Sequence, residues 1–133
     1  AGVSTEGELL VWSLADGQLV LRRDLDITCG TQDLHPEPGG RRFAHYCRDE
    51  ALRWIDPDAR EPVQRLGAYV NSLPLSFVPQ RNALVFGTSG GDLLISDGPG
   101  GPPRTLRHYP YPLLDITTVP GTGELVISAD DLV

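Results

Sequence analysis

The chain has 133 residues, enough for one ordinary domain, and carries 18 acidic and 11 basic side chains for a net charge of −7. This acidic balance argues against a nucleic-acid partner, which requires a basic footprint, and no apolar run approaches the roughly 18 residues of a membrane span. Methionine is absent, and the sequence begins and ends in strand-like runs. We therefore expect a slice of a longer protein or a processed piece.

The sequence repeats itself about every 42 residues. Trp12 and Trp54 are 42 positions apart, and Trp54 and Ile95 are 41 apart. A proline precedes an apolar run once in each period, at Pro36, Pro79 and Pro120. A period of roughly 40–45 residues built from short strands is typical of β-propeller blades. The predicted fold is all-β, a β-propeller fragment of four-stranded antiparallel blades.

The predicted strands divide the chain into four stretches. Residues 1–25 end one blade, residues 26–67 and 68–112 are complete blades, and residues 113–133 begin another. The predicted strands, in chain order, are Gly2–Thr5, Glu8–Ser13, Gln18–Arg23, Ile27–Leu34, Arg42–Cys47, Leu52–Ile55, Pro62–Leu66, Ser72–Phe77, Ala83–Gly87, Leu93–Ser96, Arg104–Arg107, Leu114–Val119 and Glu124–Ser128. Twelve prolines and fifteen glycines fit the many short turns that this pattern needs, and no helical period is sustained.

Several of these segments resemble the WD40 repeat family, over essentially the whole chain. The resemblance lies in Leu9–Ser13, Leu52–Asp56, Phe77–Pro79 and the aspartates Asp49, Asp92 and Asp131 that precede a strand. The chain departs from the family in lacking the Trp-Asp dipeptide and the Gly-His pair. The resemblance implies a propeller that acts as a scaffold for protein–protein interactions and holds no cofactor.

One loop stands out as a candidate binding site. Arg107–Pro112 contains two tyrosines, a histidine and an arginine, which is the composition of binding hot spots, and its two prolines would lower the entropy cost of binding. Tyr69 and Asn71 occupy the equivalent loop one blade earlier and are expected on the same rim. The alternative is that these rings pack on a neighbouring blade. The predicted partner-binding residues are Tyr69, Asn71, Arg107, His108, Tyr109 and Tyr111.

Other unusual residues have simpler structural interpretations. Trp12 and Trp54 share one repeat position, so we expect both to pack in the core. In the charged turn Arg48–Glu50, Asp49 is expected to cap the backbone. Cys29 and Cys47 flank one turn at similar distances, which would allow them to meet on adjacent strands. We favour two buried small hydrophobic residues instead.

No motif for catalysis, a cofactor or a metal was found in the sequence. The aspartate pairs Asp130-Asp131 and Asp56-Asp58 lack the full ligand set of a calcium loop, and the glycine- and proline-rich stretch Gly98–Pro103 lacks the Lys-Ser/Thr of a phosphate loop. His35 and His45 stand near no recognisable nucleophile motif. We expect no catalytic, cofactor-binding or metal-binding residues.

The composition and the resemblance together predict a protein–protein interaction scaffold module, part of a WD40-like propeller in a larger protein, and not an enzyme. Its expected partners are a protein or peptide, and the remaining propeller blades or another copy of the chain. The alternative is a propeller enzyme, a hydrolase or redox protein, whose active site lies outside this segment. The expected location is the cytoplasm.

Overall fold

A computed structural model describes residues 2–4, 6–27, 31–47, 51–69, 74–97 and 102–129. Within these ranges the chain forms β-strands and one short 3-10 turn at Pro79–Arg81, and it forms no α-helix. The strands are β1 (Gly2–Val3), β2 (Glu8–Trp12), β3 (Leu19–Asp24), β4 (Thr31–Pro36), β5 (Phe43–Cys47), β6 (Ala51–Ile55), β7 (Val63–Ala68), β8 (Leu75–Val78), β9 (Ala83–Gly87), β10 (Asp92–Ser96), β11 (Arg104–His108), β12 (Leu113–Thr118) and β13 (Leu125–Ala129).

Strands that follow one another in the sequence pair antiparallel into four sheets. The first sheet is β1-β2-β3, the second β4-β5-β6-β7, the third β8-β9-β10-β11 and the fourth β12-β13. The predicted all-β fold with four-stranded antiparallel blades is confirmed. Most predicted strand bounds agree within a few residues. The largest difference is β4, which begins at Thr31 rather than at Ile27.

The sheets are stacked face to face, and each junction has its own apolar core. Alternate residues of a strand point to opposite faces, so a central sheet can supply side chains to two cores. The core between the first and second sheets contains Leu9, Leu25, Ile27, Phe43, Cys47 and Ile55. The core between the second and third contains Ala44, Tyr46, Leu52, Trp54, Leu66, Phe77, Leu84 and Phe86. The core between the third and fourth contains Val78, Ala83, Val85, Leu93, Ile95, Leu113 and Ile116.

The two tryptophans lie on different kinds of surface. Trp54 is 1% exposed and points toward the third sheet, so its predicted core position is confirmed. Trp12 is 45% exposed, and the side chain that points from β2 toward the second sheet is its neighbour Val11. The prediction of a core position for Trp12 is wrong, because a shift of one residue along a strand reverses the face to which a side chain points.

Cys47 lies fully buried in the core between the first two sheets and is disulfide-bonded. Cys29, the only other cysteine in the sequence, lies outside the described residues. The expectation that Cys47 is a free buried thiol is therefore wrong. Residue types and spacing left the bond open, because it depends on what β5 packs against in the folded chain.

The turns lie at two opposite ends of the strands. The first rim holds the turns at residues 4–8 and 88–92 and the loop that joins β11 to β12. The second rim holds the turns at residues 13–18, 37–42, 56–62, 79–82 and 119–124. The predicted turns at Arg48–Glu50 and Asp130-Asp131 lie outside the described residues. The described part of the chain contains no helix that could cross a membrane.

Candidate functional site

The candidate loop on the first rim is fixed by the turn that precedes β10. The Tyr109 amide donates to the Gly91 carbonyl at 2.8 Å. Gly91 has a φ of +88°, and a Cβ there would collide with the carbonyl oxygens of Tyr109 and Tyr111. Glycine is needed at this position both for its backbone conformation and for the close approach of the loop. The loop backbone is thereby held in one place.

Side chains at the end of β11 and at the start of this loop make two contacts. Arg107 and His108 are exposed at the end of β11. The Arg107 guanidinium lies over the Tyr109 ring, 5.4 Å from its centroid, and His108 Nδ1 is 2.8 Å from Asp92 Oδ1. The strand pairing between β10 and β11 places His108 directly opposite Asp92. These are two separate contacts, because Arg107 and His108 are adjacent on β11 and their side chains point to opposite faces of the third sheet.

The tyrosines of the loop differ in burial. Tyr109 is half-buried, and its ring packs against the core between the third and fourth sheets. Tyr111 is 37% exposed. The core and the Arg107 guanidinium therefore each cover part of the Tyr109 ring. Tyr111 is the more accessible of the two rings.

Tyr69 has a mainly structural set of contacts. Its ring makes an edge contact with Phe86 at 5.2 Å between centroids, and its carbonyl accepts a hydrogen bond from the Tyr46 hydroxyl at 2.5 Å. Burial raises the pKa of the Tyr69 phenol above its ordinary value. Asn71, predicted beside it, lies outside the described residues.

The third sheet separates Tyr69 from the other predicted site residues. Tyr69 packs on the face of the third sheet that meets the second, and Tyr109 packs on the face that meets the fourth. Arg107, His108, Tyr109 and Tyr111 follow one another at the end of β11 and in the loop after it, here called the loop cluster, whereas Tyr69 packs on the opposite face of the third sheet from Tyr109. Hydrogen bonding, stacking and charge pairing are the interactions this cluster can offer. Among the described residues, no group of three His, Cys, Asp or Glu side chains is placed to hold a metal ion.

A pocket on the second rim was not found from the sequence. It lies between the first and second sheets and is lined by Val11, Leu21, Gly40, Arg41, Phe43 and Pro57. The sequence carried one signal for this pocket. When β2 is aligned with β6 by the faces to which their side chains point, rather than by their tryptophans, Val11 takes the same repeat position as the much larger Trp54.

Comparison with known proteins gives a fold likeness and no family. No protein-family model and no curated protein matches this chain. Among solved structures, the chain is similar to one described as the crystal structure of the computationally designed Ika4 protein, with a TM-score of 0.59 and 18% sequence identity. The match covers 97% of this chain and 78% of the other. At this identity the likeness concerns the arrangement of the strands alone.

Proposed function

We propose that this chain is a protein–protein interaction module, part of a WD40-like β-propeller scaffold in a larger protein, and that it binds a protein or peptide partner through the first rim. The observation that carries the proposal is the loop cluster Arg107–Tyr111, whose backbone is fixed by Gly91 while the side chains of Arg107, His108 and Tyr111 are exposed. A loop that is already ordered loses little entropy on binding.

The fold supports the same proposal. The faces of the central sheets are used in packing, so the rims are where side chains can vary without disturbing a core. The likeness to WD40 repeats, in Leu52–Asp56 and the aspartates before the third strand of a blade, points to the same scaffold role. The proposal assigns no catalytic step to the described residues, and a propeller enzyme with its active site elsewhere stays the alternative.

The disulfide at Cys47 argues against the expected cytoplasmic location. The sequence predicted a cytoplasmic protein, but Cys47 is disulfide-bonded in a core. Structural disulfides persist in oxidising compartments and are rare in the cytosol. We therefore propose that the module works outside the reducing cytosol.

The proposal is tested with two matched arginine substitutions on one strand. Arg107→Gln removes a cation from the loop cluster, and Arg104→Gln removes one from the other end of β11, where Arg104 pairs with Asp97 at 3.4 Å. Tyr111→Ala truncates the exposed ring. Loss of a binding hot spot typically costs about 2 kcal/mol or more. We expect the protein partners recovered with the full-length protein in quantitative affinity purification to fall sharply with Arg107→Gln and Tyr111→Ala and to be kept with Arg104→Gln.

The unfolding temperatures of the three variants provide the control for folding. All three side chains are exposed, so we expect each variant to unfold close to the wild-type temperature. Unchanged recovery of every partner with Arg107→Gln and Tyr111→Ala would show that the first rim is not the binding site.

A further inference from the structure

The pocket on the second rim has the size and lining of a site for one side chain. Its volume is about 110 Å³, and its walls are almost entirely apolar. Sites for drug-sized ligands are larger, roughly 300–1,000 Å³. The walls are also held in place, because the Arg23 guanidinium donates to the Pro57 carbonyl and, at 2.6 Å, to the Ala59 carbonyl. The pocket therefore exists before any ligand enters.

The core between the second and third sheets shows which kind of side chain can fill such a space between two sheets. Val11 on β2 and Trp54 on β6 both point toward the next sheet in the stack. Val11 pairs with Leu21 on β3, and Trp54 pairs in the same way with Gln64 on β7. At the second junction the Trp54 indole fills the space between the sheets. At the first junction valine leaves that space open. The pocket thus corresponds to the position of an indole ring elsewhere in the same molecule.

The charge at the opening of the pocket indicates which group of a ligand would lie beside an aromatic ring bound there. Among the described residues that line the pocket, Arg41 alone is charged, and its side chain is 65% exposed. Its ion pair with Asp58 is long, at 3.4 Å, so a ligand carboxylate can compete for the guanidinium. At the second junction another cation, Arg42, lies 4.9 Å from the centroid of the Trp54 ring. The molecule therefore already contains one arginine that lies over a buried aromatic ring.

We propose that this pocket binds one aromatic side chain of a partner peptide, with a carboxylate of the same peptide paired to Arg41. The aromatic ring occupies the space between Val11, Leu21 and Phe43, as Trp54 does at the next junction. The site lies on the opposite rim from the loop cluster and does not depend on it.

The test uses three small probes and methyl NMR spectra of the full-length protein. The probes are N-acetyl-tryptophan, which has a ring and a carboxylate, N-acetyl-tryptophan amide, which lacks the charge, and N-acetyl-alanine, which lacks the ring. We expect saturable shifts of the Val11 and Leu21 methyl signals with the first probe. We expect several-fold weaker binding of the second probe and no binding of the third.

Two substitutions and a control decide the interpretation. Val11→Trp fills the pocket and should abolish the shifts of Leu21, while the exposed Arg41→Gln should bring the affinity for N-acetyl-tryptophan down to that for its amide. Arg60→Gln, an exposed arginine in the neighbouring turn that does not line the pocket, should leave the affinity unchanged. The absence of saturable shifts in the wild-type chain overturns the proposal. Equal loss with Arg41→Gln and Arg60→Gln also overturns it, whether or not the Val11→Trp variant folds.

Discussion

At the scale of single residues, Trp54 is the side chain on which the middle of the stack depends most. It is 1% exposed and makes an edge contact with Phe77 at 5.6 Å between ring centroids. The Arg42 guanidinium covers its ring. Its indole Nε1 is buried and has no hydrogen-bond partner among the residues that the structure describes. The indole thus contributes a large apolar area and also carries the cost of one unsatisfied donor.

We expect Trp54→Ala to lower the free energy of unfolding by about 3–5 kcal/mol, the usual cost of emptying a buried aromatic position. Trp54→Phe should cost clearly less, because it keeps a ring and removes a donor whose burial costs about 1–3 kcal/mol. Urea unfolding followed by circular dichroism measures both values. Trp12→Ala is the matched control and should cost about 1 kcal/mol or less, since Trp12 is 45% exposed. Equal costs for Trp12→Ala and Trp54→Ala would contradict the assignment of faces.

At the scale of elements, Arg42 on the second rim connects a turn of the second sheet to a turn of the third. Arg42 Nε donates to Glu37 Oε2 at 2.9 Å within the turn between β4 and β5, and the same guanidinium donates to Asn82 in the third sheet's turn. The Arg42 and Glu37 side chains are only 15% and 11% exposed. This pair therefore connects the second and third sheets in a place that water screens poorly.

The Glu37–Arg42 pair makes stability depend on pH in a defined direction. The hydrogen bond from Arg42 holds the pKa of the Glu37 carboxyl below its ordinary value of 4.5. A lowered carboxyl pKa adds stability above pH 4.5, and this contribution is lost as the pH falls through the folded-state pKa. We expect Glu37→Gln to cost about 1.5–3 kcal/mol at neutral pH, the range for hydrogen bonds to charged groups. The gap between wild type and variant should close below pH 4.5 in acid titrations of thermal unfolding.

The control for this prediction is Glu61→Gln, an exposed carboxylate in the turn between β6 and β7. It should change stability by less than about 0.5 kcal/mol at neutral pH. A gap between wild type and Glu37→Gln that stays constant from neutral pH into acid would show that the carboxylate charge contributes nothing.

At the scale of the whole molecule, the stack ends in two sheets whose outer faces carry exposed apolar residues. Trp12 and Val20 are 45% and 59% exposed on the first sheet, and Val126 is 59% exposed on the fourth. Each internal junction buries the corresponding face of a sheet. Exposed apolar faces and unpaired strand edges favour association with other chains. We propose that the remaining propeller blades or another copy of the chain cover these faces.

We expect the isolated 133-residue chain to associate with itself, with light scattering that rises with protein concentration. Val20→Lys should reduce the scattering at a given concentration, because it places a charge on the outer face of the first sheet. Leu14→Lys is the control, since Leu14 lies in a turn and is already fully exposed. A chain that stays monomeric at every concentration, or equal effects of the two lysines, would contradict this prediction.

The sequence by itself determined the strands and their grouping into sheets. The period of about 42 residues, the alternation within segments such as Leu9–Val11, and glycine turns such as Asp16-Gly17 are local features that a strand and its turn require wherever they lie. It also pointed to the loop Arg107–Tyr111, because aromatic and basic residues among prolines can be read from the sequence.

The tertiary structure alone decided what each face meets. Trp12 and Trp54 share a place in the repeat, but their faces differ, because a one-residue shift in alignment reverses the side to which every side chain points. The disulfide at Cys47 and the half-burial of Tyr69 depend on neighbours far away in the sequence. The pocket beside Val11 arises because two sheets keep their spacing while one side chain between them is small. Such a difference appears only when the facing sheet is in place, because close packing is a property of both surfaces together.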